Sequence, residues 1–178
     1  AALGRGDTRL HGVLWSDDTR VMFEALTALG ITHTLDRDQH IAHITGCGGT
    51  LPVQHAELML GNAGTATRFL TALCTLGPDG STYTIDGVPR MRERPIGQLV
   101  DALRTLGARI DYLAQDGFPP LVVHGSGGTL GCDVQLGALT SSQYVSALAQ
   151  VGPLLPRGLT ISFDQPPISK PYVDMTVA

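Results

Sequence analysis

A seven-residue stretch, EALTALG at positions 24–30, recurs as DALRTLG at positions 101–107, 77 positions further along the chain (24 to 101). Each copy leads through alternating apolar and polar residues to a histidine followed by glycines, HITGCGG at 43–49 and HGSGG at 124–128. Self-similarity at a fixed spacing is typical of a fold that uses one structural unit more than once. The repeat therefore predicts similar units of about 77 residues.

A second pair of stretches supports the same period. TRFLTAL at 67–73 matches SQYVSAL at 142–148, an offset of 75 positions (67 to 142). A β-rich stretch follows each copy, and after it comes a short loop with a basic residue before proline, RP at 94–95 and KP at 170–171. The unit is therefore expected at least twice, in the order helix, strand, helix, strand, strand.

The two ends of the chain break this period. Residues 1–6 resemble the end of a helix, and residues 171–178 resemble the first turns of another. We therefore expect residues 1–178 to form a single lobe that is truncated at both ends.

The predicted helices are of two kinds. Segments 18–29 and 94–106 place apolar residues at helical spacing with polar residues opposite, which is typical of helices on a surface. Segment 64–76 carries a single charge, Arg68, and segment 141–155 carries none. Because a helix that is apolar all round is buried on every side, these two are expected at the centre. The predicted fold class is α/β (α+β), with buried central helices walled by sheets and outer helices.

The predicted strands between these helices are short. They are 9–14, 32–35, 41–45, 82–86, 109–113, 121–124 and 160–164.

Composition excludes several classes of protein. Of 178 residues 43% are apolar and 16% charged, with 22 Gly and 11 Pro, which indicates a turn-rich globular fold and excludes a coiled coil or a disordered tail. The net charge of −4 argues against a nucleic-acid-binding surface, and no apolar run reaches the length of a membrane span. Three widely spaced cysteines, Cys47, Cys74 and Cys132, fit a reduced cytoplasmic location better than a disulfide framework.

The first candidate ligand site is the junction LGNAGTATR at 60–68. Glycines such as Gly64 let a ligand approach the backbone, and the free N–H groups of a first helical turn attract an anion. Asn62 and Thr65 could donate to that anion. An ordinary turn followed by a helix N-cap explains the same residues.

The second candidate is PRMRERP at 89–95, which places three arginines before a predicted helix. Cations at a helix start oppose the helix dipole, so an anionic ligand that neutralises them would explain the pattern. A solvated charged loop is the alternative.

The third candidate is TSSQ at 140–143, where two hydroxyls and an amide open an uncharged helix, and SKPY at 169–172 is the matching junction further on. These residues could bind a phosphate or only cap their helices. If the repeat gathers all the junctions on one side of the lobe, a ligand site becomes the better interpretation.

Metal and nucleotide sites find little support in the sequence. His40 and His43 are three residues apart and would point to opposite faces of a strand. The segment at 60–68 lacks the lysine and the spacing of a Walker-type phosphate loop. These patterns therefore favour neither a histidine metal site nor a Walker-type nucleotide site.

Taken together, these segments resemble the 5-enolpyruvylshikimate-3-phosphate synthases. LGNAGTA at 60–66 with the later Arg68, and PRMRERPIG at 89–97, are similar to the two signature segments of that family. SSQ at 141–143 and SKPY at 169–172 are similar to two further segments, in the same order. Phe69 stands where many members have proline, which is a variation at the helix start.

The resemblance implies a transferase of the shikimate pathway, which leads to chorismate and the aromatic amino acids and is the target of glyphosate. Members transfer the enolpyruvyl group of phosphoenolpyruvate to the 5-hydroxyl of shikimate 3-phosphate, in a cleft between two lobes built from repeated βαβαββ units. The residues implied to bind shikimate 3-phosphate are Ser141, Ser142, Gln143, Ser169 and Tyr172. Those implied for phosphoenolpyruvate are Gly64, Arg90 and Gln143, with Asn62 and Thr65 shaping the pocket. The resemblance implies no metal and no organic cofactor.

The resemblance also implies what this chain lacks. The family's early Lys-Ser segment should precede residue 1, and the carboxylates proposed for proton transfer belong to a second, C-terminal lobe. No catalytic residue is therefore expected in this N-terminal lobe, which alone should be inactive.

Two other functions remain open at this point. One is a stand-alone binding module for a phosphorylated ligand or a partner protein. The other is a sister enolpyruvyl transferase that acts on a nucleotide sugar, which shares the fold but not these segments.

Overall fold

The structure, a computed structural model, describes every residue except Pro167. Its strands are β1 (Arg5–His11), β2 (His33–Asp36), β3 (Ile41–Cys47), β4 (His55–Met59), β5 (Thr82–Asp86), β6 (Ile110–Tyr112), β7 (Leu121–His124), β8 (Asp133–Leu136) and β9 (Thr160–Phe163). Its α-helices are α1 (Asp17–Ala28), α2 (Gly64–Cys74), α3 (Gly97–Thr105), α4 (Ser142–Val151) and α5 (Lys170–Val177). Two short 3-10 helices cover Met91–Glu93 and Gly152–Leu154.

The middle of the chain forms one complete βαβαββ unit, from β4 to β7. Its sheet has the order β4-β5-β7-β6, in which β4 and β5 are parallel and the other pairs are antiparallel. The sheet β1-β3-β2 repeats the β5-β7-β6 part of this pattern, and β8 pairs with β9 in parallel as β4 does with β5. The predicted repeated unit is therefore confirmed.

The two mostly apolar helices, α2 with its single charge and the uncharged α4, are central, as their sequences predict. Helices α2 and α4 pack against each other, and Leu70 and Leu148 are at most 1% exposed. Helices α1 and α3 bury one face each, through residues such as Leu26 and Leu103, and expose the other. The α/β class with buried central helices and outer amphipathic helices is confirmed. Within the described residues, no helix is both long and apolar enough to cross a membrane.

The arginine-rich segment departs from its prediction. Helix α3 begins at Gly97 rather than at Arg94, which has an extended backbone with φ −95° and ψ 121°. Because proline disfavours the helical conformation in the residue before it, Pro95 separates the arginines from the helix. The arginines therefore do not oppose the dipole of α3, and that part of the argument from sequence is wrong.

Smaller differences concern the strands and one cap. Residues 1–6 do not end a helix, because β1 begins at Arg5 and pairs with β3. The sequence does not predict strands β4 and β8, since each is short and buries few side chains: only Leu58 is buried in β4, and Val134 and Leu136 in β8. Ser16, which precedes the predicted helix start at residue 18, caps α1 by accepting a hydrogen bond from the backbone N–H of Thr19. The helix predicted at 171–178 is α5.

Candidate functional site

A cleft of about 820 Å³ lies between the starts of helices α2, α4 and α5. The predicted site residues that line it are Thr65, Ser141, Ser142, Gln143, Ser169 and Tyr172. Its other lining residues are Thr140, Ser146, Gln150 and Thr176, with the apolar Phe69, Ile168 and Met175. Hydroxyl and amide groups therefore dominate the polar part of the wall, and no carboxylate or imidazole lines it among the described residues.

The start of α4 is a capped helix end. Ser141 has the extended backbone of an N-cap residue, and its Oγ accepts a hydrogen bond from the backbone N–H of Gln143 at 3.3 Å. This cap uses one of the two adjacent hydroxyls, while Ser142 stands on the cleft wall. Capping is thus only part of what the sequence TSSQ provides.

Gln143 joins the two central helices. Its Oε1 accepts a hydrogen bond from Arg68 Nη1 at 2.5 Å, and its Nε2 donates to Thr65 Oγ1 at 2.8 Å. Both ends of the amide are therefore engaged across the α2–α4 contact. This fixes the side chain at the floor of the cleft.

Arg68 is a buried cation beside the cleft that the sequence did not indicate as a site residue. It is 8% exposed, its Nη2 donates to Pro95 O at 3.4 Å, and its guanidinium lies 5.3 Å from the ring centre of Tyr144. Its Nε has no partner among the described residues. The available signal was a lone arginine in an otherwise uncharged helix, because a charge is seldom buried without a role or a partner.

The start of α2 is shielded by Arg94. A Cβ placed on Gly64 would lie 2.6 Å or less from three atoms of the Arg94 guanidinium, so only glycine admits this approach. Arg94 Nη1 also donates to Asn62 O at 2.9 Å. The N-cap residue Ala63 offers no side-chain hydrogen bond to the first turn of α2. An arginine, a glycine and uncapped helix amides therefore meet at this point.

The other two arginines of the segment pair elsewhere. Arg90 binds Glu93 at 2.5 Å with its side chain 74% exposed, so the structure does not bring it to Gly64. Arg92 donates to both carboxylate oxygens of Asp86, at 2.9 and 2.6 Å.

Asp86 also accepts from the backbone N–H of Gly87 at 2.7 Å. Burial by itself raises the pKa of Asp86, but the hydrogen bonds from Arg92 and Gly87 outweigh it and hold the pKa below its ordinary value. The carboxylate is therefore ionised and fixed at neutral pH. It anchors the segment that carries Arg94.

The start of α5 forms the outer wall of the cleft. Ser169 precedes the helix with a left-handed backbone at φ 50°, and Tyr172 is 65% exposed. Thr176 and Ser146 share a hydrogen bond of 2.8 Å that ties α5 to α4. The structure thus brings six of the nine predicted residues to one cleft, places Asn62 and Gly64 beside it at Arg94, and leaves Arg90 outside.

This arrangement suits two kinds of ligand group. The hydroxyl and amide wall can bind hydroxyl and phosphate groups, and the junction of Arg94 with the start of α2 can bind a small anion. In the part of the chain that the structure describes, no group of three or more His, Cys, Asp or Glu could hold a metal ion.

Comparison with known proteins identifies the family. The family model for EPSP synthase (3-phosphoshikimate 1-carboxyvinyltransferase) matches residues 1–178. The 3-phosphoshikimate 1-carboxyvinyltransferase of Citrobacter koseri is 49% identical over 178 residues, and that of Proteus mirabilis is 48% identical over 179. These alignments cover 99% and 100% of the chain but 41% of each relative. The chain thus spans about two fifths of the length of these curated relatives.

Solved structures agree on the fold. A structure of EPSP synthase from Acinetobacter baumannii has a TM-score of 0.80 at 22% identity, over 93% of this chain and 36% of that one. The enolpyruvyl transferase NikO from Streptomyces tendae has a TM-score of 0.54 at 15% identity, over 91% of this chain and 34% of that one.

Proposed function

Because the chain belongs to the EPSP synthase family, we propose that it forms the shikimate-3-phosphate-binding lobe of an enolpyruvyl transferase. The complete enzyme would transfer the enolpyruvyl group of phosphoenolpyruvate to the 5-hydroxyl of shikimate 3-phosphate and release phosphate. This reaction would serve chorismate and aromatic amino acid biosynthesis. The three cysteines are free, which is compatible with a reducing, cytoplasmic location.

The observation that carries the proposal is the shared cleft. Residues from three separate segments, represented by Thr65, Ser141 and Tyr172, line one cavity of about 820 Å³. That volume lies in the usual range for a small-molecule site, and its hydroxyl and amide groups match a ligand rich in hydroxyl and phosphate oxygens. Shikimate 3-phosphate would lie along this wall, with Gln143 at its floor.

Phosphoenolpyruvate would bind beside it, at the start of α2. Arg94 supplies a guanidinium that suits bidentate binding of a carboxylate or phosphate, and the uncapped first turn supplies N–H groups. On binding, the guanidinium of Arg94 would exchange its hydrogen bond to Asn62 O for stronger hydrogen bonds to the anion. This geometry supports Arg94 in the role that the sequence motif suggested for Arg90, which pairs with Glu93.

Proton transfer would depend on groups from elsewhere. The reaction needs a proton delivered to the methylene carbon of phosphoenolpyruvate and one removed from the 5-hydroxyl. Among the described residues no carboxylate lines the cleft, and Glu93 and Asp86 are engaged with Arg90 and Arg92. We therefore propose that a second lobe of the same enzyme supplies the acid and the base, and that the 178-residue chain binds substrate without turnover.

The direct test is an amide-shift titration of the chain with shikimate 3-phosphate. We expect shifts to cluster at 141–143 and 169–172, and we expect shikimate without its phosphate to bind more weakly. The variant Gln143→Ala should lose these shifts, while the exposed Gln54→Ala should keep them.

Three results would contradict the proposal. No shift at millimolar ligand would favour the stand-alone binding module, and stronger binding of UDP-N-acetylglucosamine would favour the nucleotide-sugar transferase. Turnover by the 178-residue chain at an ordinary enzyme rate would contradict the assignment of proton transfer to a second lobe.

A further inference from the structure

Gln98, in the first turn of α3, holds the loop that leads into α4. Its Nε2 donates to Ala138 O at 2.8 Å. Its Oε1 accepts from both the backbone N–H and the Oγ1 of Thr140, each at 2.9 Å. One side chain therefore makes three hydrogen bonds to a loop 40 to 42 residues away in sequence.

The loop has few other polar supports. Residues 137–140 make no backbone-to-backbone hydrogen bond among the described residues. The side chain of Leu139 is partly buried and packs against the core. This contact holds the loop against the core but provides no hydrogen bond to its backbone groups. Ala138 and Thr140 are exposed, so water could satisfy their backbone groups but would not fix their position. The amide of Gln98 supplies the directional protein partners that hold this loop in one place.

What this loop positions is the start of α4. Thr140 lines the cleft and is followed at once by Ser141 and Ser142. The orientation of the Ser141 N-cap, and with it both serine hydroxyls, depends on where Thr140 is held. Gln98 itself is not among the residues that line the cleft.

The same short segment also supports α4 from its other side. Pro95 O accepts a hydrogen bond from Tyr144 Oη at 2.9 Å. Residues 95–98 therefore bracket the start of α4, and Arg94 immediately precedes them. The segment at 94–98 therefore holds two parts of the proposed site. One is the hydroxyl-lined wall at the start of α4, and the other is the anion pocket, formed by Arg94 and the start of α2.

From this geometry we infer that Gln98 is a positioning residue for the proposed substrate site: it fixes Thr140 so that the Ser141 and Ser142 hydroxyls face the ligand. This inference rests on the proposed function. It adds a residue that no signature segment and no lining residue indicates. Its effect is on binding of shikimate 3-phosphate through the loop, without contact to the ligand.

The test measures the dissociation constant for shikimate 3-phosphate by titration calorimetry on the 178-residue chain. Gln98→Ala should raise this constant by about tenfold, because three bonds that hold the loop are lost. Gln98→Glu keeps an acceptor for Thr140 but cannot donate to Ala138 O when ionised, so it should recover part of the affinity. Gln54→Ala, an exposed glutamine with no side-chain hydrogen bond among the described residues, is the matched control.

A second readout separates positioning from general stability. Hydrogen exchange at the Thr140 amide should be faster in Gln98→Ala, while exchange in β5 and β7 stays as in the original chain. If Gln98→Ala does not fold, Gln98→Met keeps most of the side-chain volume, removes the same three hydrogen bonds and should still raise the dissociation constant by about tenfold.

The outcomes distinguish this inference from the function on which it rests. If the original chain binds shikimate 3-phosphate and Gln98→Ala, or Gln98→Met in its place, binds equally well, the positioning role is wrong and the proposed function stands. If the original chain itself does not bind the ligand, both are overturned.

Discussion

The starts of α2 and α4 occupy equivalent places in the repeat, yet they differ in charge and in capping. In the aligned stretches, Arg68 of α2 corresponds to Gln143 of α4, and these two equivalent residues are hydrogen-bonded to each other. The start of α2 has no side-chain cap and is shielded by Arg94, whereas the start of α4 is capped by Ser141 and is uncharged.

This difference shows how a repeated unit can provide two unlike binding surfaces. An uncapped helix start beside a guanidinium favours an anion, because free N–H groups and positive charge point to the same place. A capped start has already satisfied one of its N–H groups, so what remains are neutral hydroxyls that suit a polyol phosphate. Substitutions at the two starts should therefore affect different ligands.

The largest effect is expected at the anion pocket. Arg94→Ala should weaken phosphoenolpyruvate binding, measured with shikimate 3-phosphate present, by roughly 30-fold to 1,000-fold, which corresponds to about 2 to 4 kcal/mol for a lost charged hydrogen-bonding partner. Arg90→Ala is the matched control and should change this affinity by less than about threefold, because its side chain is exposed and paired with Glu93. If Arg90→Ala weakened binding more than Arg94→Ala did, Arg90 rather than Arg94 would be the arginine that binds phosphoenolpyruvate.

A smaller loss of phosphoenolpyruvate affinity is expected when Arg94 is kept but the space beside it is reduced. Gly64→Ala places a methyl group where the Arg94 guanidinium lies, so this flexible side chain must move and its bond to Asn62 is lost. We expect phosphoenolpyruvate binding to weaken by about tenfold, with binding of the family inhibitor glyphosate weakened as well. The affinity for shikimate 3-phosphate alone should not change. If the affinities for both substrates fell equally, the starts of α2 and α4 would not be independent binding surfaces.

The sequence predicts the parts of this comparison that are local. The stretch at 64–76, with one charge, and the uncharged stretch at 141–155 indicate buried helices, and the repeat indicates that one unit recurs. The capping role of Ser141 follows from its place before a helix. These predictions succeed because burial and capping depend on neighbours within one or two helical turns.

The parts that the sequence does not predict are long-range. Three arginines within five residues cannot be told apart by sequence, and only the folded chain shows that Arg92 binds Asp86 while Arg94 binds Asn62 O beside Gly64. The hydrogen bonds between Gln98 and Thr140 join residues 42 apart, and no periodicity in the sequence predicts them. Side-chain partners chosen by tertiary contacts have no signal in a single sequence.

A change at the capped start should affect stability as well as binding. Ser141→Ala removes the N-cap of α4 and should lower the free energy of unfolding by about 1 kcal/mol. It should also weaken shikimate 3-phosphate binding while leaving phosphoenolpyruvate binding in the preformed complex nearly unchanged. Chemical denaturation and calorimetry measure the two effects, and Ser141→Asp, which can still cap the helix, should restore stability without restoring affinity. Recovery of both by aspartate would mean that Ser141 acts only as a cap.

The smallest effect concerns the anchor of the arginine segment, and it depends on pH. Folding lowers the pKa of Asp86, so its ionised form contributes stability above the unfolded pKa of about 3.9, and this contribution disappears as the pH falls through the folded value. Asp86→Asn should therefore lower the melting temperature by about 2 to 4 °C at pH 7, an effect limited by the solvent exposure of Arg92. At a pH below the lowered pKa of folded Asp86, the original chain and the variant should melt alike, since both side chains are then neutral. A difference that persists at low pH would show that Asp86 acts through packing rather than charge, and that the position of Arg94 does not depend on this ion pair.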